Sequence, residues 1–299
     1  MEVGLLTKCG RPLGRFLLRL LLGTLVVSAV FVLTQDIQIF PAIVSWPLGK
    51  GSGEISAAAK REGFEGTFIQ TEDGKKLEVW YLPAPKNSKT PPRAVIYFHG
   101  NGEVVKNDAH ISQWLQSLGY ASFLFDYRGF GRSSGWPSEQ GLQQDARALW
   151  RYAREKTGLS AEQFIFMGAS VGTGPAAYLA SEVHPRALIL MSPYKSLTAV
   201  VEELPGFGLL SPFLWYKLPT EEYLKTIGST CVVLIHGKRD RTIAYHHSVD
   251  MQRDLQGQID ISFISDEEAG HNDLLARTYQ RTAQAMEGCF LKNSVTARP

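Results

Sequence analysis

Phe164-Ile165-Phe166-Met167-Gly168-Ala169-Ser170-Val171-Gly172-Thr173-Gly174-Pro175-Ala176-Ala177-Tyr178-Leu179-Ala180 decides the fold. A short apolar run, a turn of small residues and a helix-compatible run describe a strand that feeds a helix through a sharp bend. A serine at that bend presents its hydroxyl above the sheet, and flanking glycines let helix and strand approach without collision. The helix start also points free N–H groups toward any negative charge that develops nearby. Gly131-Arg132-Ser133-Ser134-Gly135 has the same spelling. It follows a loop and runs into Trp136-Pro137, so no helix opens there. Ser170 is the candidate nucleophile.

Outward from this stretch, short apolar strands alternate with amphipathic helices. Strands are expected at Ala94 to Phe98, Ala121 to Phe125, Phe164 to Met167, Ala187 to Met191, Cys231 to Ile235 and Ile259 to Ile264. Helices are expected near Val104 to Leu118, Glu139 to Lys156, Gly174 to Glu182, Ala244 to Leu255 and Asp273 to Phe290. Continuous apolar strands separated by helices predict a mostly parallel sheet covered on both faces, an α/β fold with its ligand site at the carboxyl ends of the strands. Ahead of these, Phe64 to Gln70 and Lys76 to Leu82 read as a hairpin across Glu72-Asp73-Gly74, and Pro83 to Pro92 reads as an exposed loop.

Phe16 to Thr34 is apolar apart from Arg19 and is preceded by Lys8, Arg11 and Arg15. That length spans a bilayer if Arg19 snorkels to the near interface, and the basic flank predicts a cytoplasmic N-terminus. Residues 1–34 are therefore expected to be a retained anchor, with the rest outside or lumenal. A cleaved signal peptide is the rival, with Val27-Ser28-Ala29 as its cleavage site. Residues 35–60, with Trp46, Pro47 and the Gly49 to Gly53 stretch, read as a tether, and 61–299 as the α/β domain. Between Ser192 and Thr230 the alternation breaks into irregular, aromatic-rich sequence, expected to be a short apolar lid near 193–229 or simple packing on the domain.

Composition narrows the function. Of 299 residues 44% are hydrophobic and 20% charged, and the net charge is +2, which suits one large core and argues against a nucleic-acid partner. The three cysteines, Cys9, Cys231 and Cys289, are odd in number and lack CxxC spacing. Neither a disulfide framework nor a zinc site is expected, Cys231 reads as a small buried hydrophobe, and Cys9 as a free thiol.

A serine nucleophile needs a base and a group that orients the base. Of seven histidines, His99 and His236 end strands in positions equally suited to structural hydrogen bonds, and His110, His184, His246 and His247 fall in or near helices. His271 sits on a loop after the last strand, between Gly270 and the helix-capping Asn272-Asp273. The orienting acid is Asp240, just past strand Cys231 to Ile235, or alternatively Asp266, Glu267 or Glu268. Serine, aspartate, histidine in that chain order belongs to one hydrolase fold and not to the chymotrypsin or subtilisin types.

His99-Gly100-Asn101-Gly102 after a strand, Asp126-Tyr127-Arg128-Gly129-Phe130-Gly131-Arg132-Ser133, Gly168 to Gly172, His236-Gly237 through Asp240, and Gly270-His271-Asn272-Asp273 together resemble the α/β-hydrolase superfamily. Within it the chain is most similar to membrane-anchored α/β-hydrolase-domain proteins with one N-terminal signal anchor, over roughly residues 64 to 290. The resemblance implies Ser170 as nucleophile, His271 as general base then acid, Asp240 as orienter, and the N–H groups of Val171 and Asn101 as oxyanion hole. Asp126 and Arg128 match a segment that braces the loop beneath the site. Gly102 and the lid aromatics Phe207, Phe213 and Trp215 are the expected substrate contacts. Glu103 departs from the small neutral residue commoner there; it either lies at the site mouth, disfavouring anionic substrates, or caps the following helix.

The expected function is a serine hydrolase of acyl esters or thioesters, without metal or other cofactor, with a lipid or small acyl substrate and a membrane as its partners. A peptidase on the same fold and a catalytically silent membrane-tethered scaffold are the alternatives. A nicotinamide oxidoreductase, suggested by Gly172-Thr173-Gly174-Pro175-Ala176-Ala177, fails because strand Ala187 to Met191 ends at a serine and not an acid. A serine at position 170 also excludes an aspartate-nucleophile enzyme.

Overall fold

The computed structural model describes residues 10–40, 57–88 and 91–292. Its frame is one eight-stranded sheet in the order β1-β2-β4-β3-β5-β6-β7-β8. The strands are β1 Glu65–Gln70, β2 Lys76–Leu82, β3 Ala94–Phe98, β4 Ala121–Phe125, β5 Phe164–Ala169, β6 Ala187–Met191, β7 Cys231–Gly237 and β8 Ile261–Asp266. β2 runs antiparallel to β1 and β4, and every pairing from β4 through β8 is parallel. The sheet is thus the mostly parallel α/β arrangement that the alternation predicts, in line with the fold that the resemblance implies.

Strand periodicity sends successive residues to opposite faces. Ile96, Phe98, Phe164 and Phe166 enter one core, with helices Glu139–Thr157, Thr173–Val183 and His246–Leu255. Val95, Tyr97, Ile165 and Met167 enter the other, with helices Ala109–Ser117 and Leu274–Lys292. The central strands are buried on both sides, as their uninterrupted apolar sequences require. The order reverses between β3 and β5, where crossovers leave in opposite directions. That leaves a crevice at their carboxyl ends.

Two expectations are corrected. Cys231 and Cys289 form a disulfide across 58 residues, with Cα atoms 5.7 Å apart. The first residue of β7 lies under the last turns of the C-terminal helix, which packs on β6, β7 and β8, and no local spacing records that proximity. Residues 35–40 are not a free tether. Helix α1, Gly10–Leu33, runs through Thr34 into a short helix α2, Gln35–Ile39, and Gln35 and Phe40 are each only 1% exposed. The rest of the expected tether up to residue 56, including Trp46, Pro47 and Gly49 to Gly53, lies outside the described residues, as do Cys9 and residues 89–90 of the proline-rich loop. Most of α1 is exposed, and its Gly14–Leu33 stretch has a mean hydropathy of 2.5, long and apolar enough to cross a membrane.

The irregular segment after β6 holds helices Leu197–Glu202 and Thr220–Leu224 and a 3₁₀ helix, Gly208–Phe213. The 3₁₀ helix packs against α1, and the Phe31 and Phe207 rings lie 5.0 Å apart.

Candidate active site

Ser170 follows directly on β5 with φ 51°, a left-handed backbone conformation that costs a non-glycine residue energy and therefore persists only where the surroundings enforce it. Here they do. A side chain at Gly172 would meet Phe98 O at 2.2 Å, and one at Gly168 would meet Gly172 O at 2.7 Å, so only glycines let the bend close against β3. The helix Thr173–Val183 follows at once. The second Gly-x-Ser-x-Gly match does something else: Ser133 is buried, donates to Asp126 O (2.6 Å) and accepts from Glu78 N–H (2.9 Å), stitching its loop to β2.

β8 delivers His271 and β7 delivers Asp240 to the same edge. Ser170 Oγ–H donates to His271 Nε2 over 3.0 Å, and His271 Nδ1–H donates to Asp240 Oδ2 over 2.7 Å. A carboxylate only accepts, so it selects the tautomer with the proton on Nδ1 and leaves Nε2 free to take one from the serine. The Asp240 side chain is fully buried. Oδ1 accepts from Thr242 and Ile243 N–H (2.8 and 2.9 Å), and Oδ2 also accepts from Ser192 Oγ–H (2.8 Å). Burial pushes this carboxyl up, but hydrogen bonds from His236, His271 and Ile243 N–H together outweigh it and hold Asp240 ionised well below the usual carboxylate range. Of the alternative acids, Asp266 accepts from Glu268 and Ala269 N–H, Glu267 pairs with Lys238 and Glu268 with Arg239. Ser192, just past β6, is a supporting group that the sequence did not single out, whereas His236, near the end of β7 and read from the sequence as suited to a structural hydrogen bond, stands 3.4 Å from Asp240 through its Nε2.

Ser170 and Asn101 line two cavities. One, about 460 Å³ and the more polar of the two, is bounded also by Gly102, Glu103, Ser192, His271 and Asn272 and, on another side, by Met191, Leu274, Leu275 and Tyr279. The other, about 300 Å³, is bounded by Phe31, Ile39, Val171, Val200, Leu204 and Leu214, a largely apolar set. Gly102 therefore stands where a substrate contact is expected. Phe207, Phe213 and Trp215 line neither cavity: the Phe207 ring packs at a tilt against Phe31, and Phe213 and Trp215 are 60% and 55% exposed. From the segment after β6 it is Tyr194, Leu197, Val200, Val201, Leu204 and Leu214 that line the apolar cavity, while Phe207 packs on α1 and Gln35 of α2 bonds the backbone at Phe213 and Trp215. Glu103 caps its own loop, its carboxylate accepting Gly100 N–H at 2.8 Å, and not the next helix, which begins only at Ala109.

The bracing residues behave as such. Arg128 binds Asp145 through Nε (2.9 Å) and Asp73 through a second nitrogen (2.9 Å), and Asp126 accepts Val105 N–H (2.8 Å). His99 lies buried beneath the Asn101 loop, its Nδ1–H donating to Gly100 O (2.7 Å). Burial lowers its pKa to about 4 and raises that of Asp126 to about 8. Among the described residues, Glu203, His246 and His247 are grouped closely enough to share a cation. They lie outside both cavities at Ser170.

A family model described as "Serine aminopeptidase, S33" matches residues 89–223. The chain is 29% identical over 189 residues to the uncharacterized protein YfhR of Escherichia coli (strain K12), covering 62% of this chain and 66% of that protein, just under two thirds. It is 28% identical over 227 residues to human alpha/beta hydrolase domain-containing protein 17B, covering 73% of each. Among solved structures, an alpha-beta hydrolase from Vibrio vulnificus superposes with a TM-score of 0.68 at 19% identity, over 84% of this chain and 92% of that one. With the strand order, the bend at Ser170 and these matches in agreement, the chain has the α/β-hydrolase fold and is similar in sequence to members of the α/β-hydrolase superfamily.

Proposed function

We propose that the protein is a membrane-anchored serine hydrolase that cleaves carboxylic esters or thioesters of acyl or lipid substrates, with Ser170 as nucleophile. The observation that carries this reading is the unbroken chain from Ser170 Oγ through His271 to Asp240, at 3.0 and 2.7 Å, with Ser170 held at a strained bend. In the acylation step Oγ attacks the carbonyl carbon while its proton passes to His271 Nε2, and the ionised Asp240 stabilises the imidazolium. The negative charge on the carbonyl oxygen is received by the N–H groups of Val171 and Asn101. The C–O or C–S bond then breaks as His271 returns the proton to the leaving group. A water, deprotonated by the same Nε2, releases the acid and restores Ser170. None of these steps calls on a metal or other cofactor.

The apolar cavity supports an acyl substituent, and α1 supports anchoring. The basic flank of Lys8, Arg11 and Arg15 and the Cys231–Cys289 disulfide both support a catalytic domain on the oxidising, extracytoplasmic side. A second reading, an aminopeptidase, draws on the description of the matching family model and on Glu103, an acid in the polar cavity able to pair with a substrate ammonium group.

The test is labelling of the full chain in detergent with a fluorophosphonate, read by intact mass and peptide mapping beside Ser170→Ala. A single adduct on Ser170, absent from the variant, is expected; a folded protein with no adduct overturns the assignment. Turnover of p-nitrophenyl acyl esters but not aminoacyl p-nitroanilides separates the esterase from the peptidase.

A further inference from the structure

The end of α1 and most of α2 are built into the site. Gln35 uses both ends of its buried amide on the lid: Nε2 donates to Phe213 O (2.9 Å) and Oε1 accepts from Trp215 N–H (2.7 Å). Asp36 accepts from the Tyr216 hydroxyl and from Trp136 Nε1–H, both at 2.5 Å. Ile39 O accepts from the side chain of Asn101 (2.9 Å), the residue beside Ser170. Phe40 packs on Phe130 and Tyr216 at ring distances of 5.9 and 5.0 Å. A segment that only tethered a domain to a membrane would need none of these contacts; a segment that holds a wall in register needs all of them. The wall belongs to the apolar cavity, with Phe31 and Ile39 on the N-terminal side and Val200, Leu204 and Leu214 on the lid side. Leu209, Phe213 and Trp215, on the lid segment against α1, are exposed at 91, 60 and 55%. Apolar side chains of this kind beside a spanning helix suit the membrane interface.

We propose that Phe31, Gln35, Gln38 and Ile39 are a substrate-binding element: they form one wall of a site for the acyl chain of a membrane-borne substrate, which reaches Ser170 from the bilayer along the end of α1. The proposal rests on the serine-hydrolase reading above. The polar cavity then takes the leaving group and the hydrolytic water, and discrimination between acyl chains arises from the anchor segment together with the lid. Each methylene buried in such a wall is worth roughly a fourfold gain in transition-state binding.

The experiment uses the full chain in detergent micelles and a fluorophosphonate carrying a dodecyl chain with a terminal diazirine. After attachment to Ser170 and irradiation, peptide mapping is expected to find the chain crosslinked within residues 31–39. Crosslinks confined to Leu274, Leu275, Ala276 and Tyr279, which line the polar cavity, overturn the proposal and leave the serine-hydrolase reading standing. Absence of any Ser170 adduct overturns both. In parallel, Ile39→Trp, which fills the cavity, is expected to lower the dodecyl-to-ethyl ratio of labelling rates at least tenfold. Ile37→Trp, an exposed position of the same helix outside the cavity, is expected to leave the ratio unchanged; equal ratios in all three proteins count against the proposal.

Discussion

Asp240 and His99 are both buried beside the site, and they answer protonation in opposite ways. Asp240 is supplied with donors from Ser192, Thr242, Ile243 and His271, so it remains a carboxylate and fixes the His271 tautomer. Replacing it with asparagine keeps the shape and loses the charge. On the proposed mechanism, Asp240→Asn is expected to lower kcat on a short acyl ester by about 10³ to 10⁴-fold with little change in Tm; a loss below tenfold contradicts the orienting role. His99 has its donor on Gly100 O and no compensating charge, since its Nε2 stands 3.9 Å from an Asp126 carboxyl that burial raises to about 8. Its folded pKa of about 4 lies below the ordinary 6.5, so between those values the unfolded chain binds more protons than the folded one. Stability from this group is complete above pH 6.5 and declines as pH falls toward 4. Chemical denaturation at pH 7.5 and 5 is expected to show an acid loss about 2 kcal/mol smaller in His99→Phe than in the parent; identical losses mean the ring is not held neutral.

At the scale of elements, the bend between β5 and its helix was legible because its constraints are local. Glycines at 168 and 172 and an apolar run on either side are all that the geometry demands. Strand ends were legible too, and they carry Asn101, Asp240 and His271 to one edge because a parallel sheet has all its carboxyl ends on one side. The disulfide was not legible. It joins the start of β7 to the last turns of the C-terminal helix, and depends on where that helix lies across the sheet. Closing a loop of 58 residues is worth about 2–4 kcal/mol by restricting the unfolded chain. Cys289→Ser is expected to lower stability by that amount under oxidising conditions and to be indistinguishable from the parent in reductant. A deficit that persists in reductant would trace to packing at Cys289, which is itself buried.

The whole molecule couples an exposed apolar helix to a globular domain through a segment that belongs to both. Twenty consecutive residues of mean hydropathy 2.5, nearly all exposed, have no partner surface large enough to cover them within the described residues. The full chain is expected to float with phosphatidylcholine vesicles in a density gradient and to stay with them in high salt and alkaline carbonate, since apolar insertion is insensitive to both; release by salt would mean peripheral binding. By itself the sequence determined the order of strands and helices, the bend that holds Ser170, and the chain order of serine, aspartate and histidine, because each is written in spacing along the backbone. Only the tertiary structure decided which acid meets His271, that Cys231 meets Cys289, that Phe207, Phe213 and Trp215 line neither cavity at Ser170, and that Phe31, Gln35, Gln38 and Ile39 line the apolar one. Those outcomes depend on distances between segments up to 180 residues apart, which packing settles and no local pattern encodes.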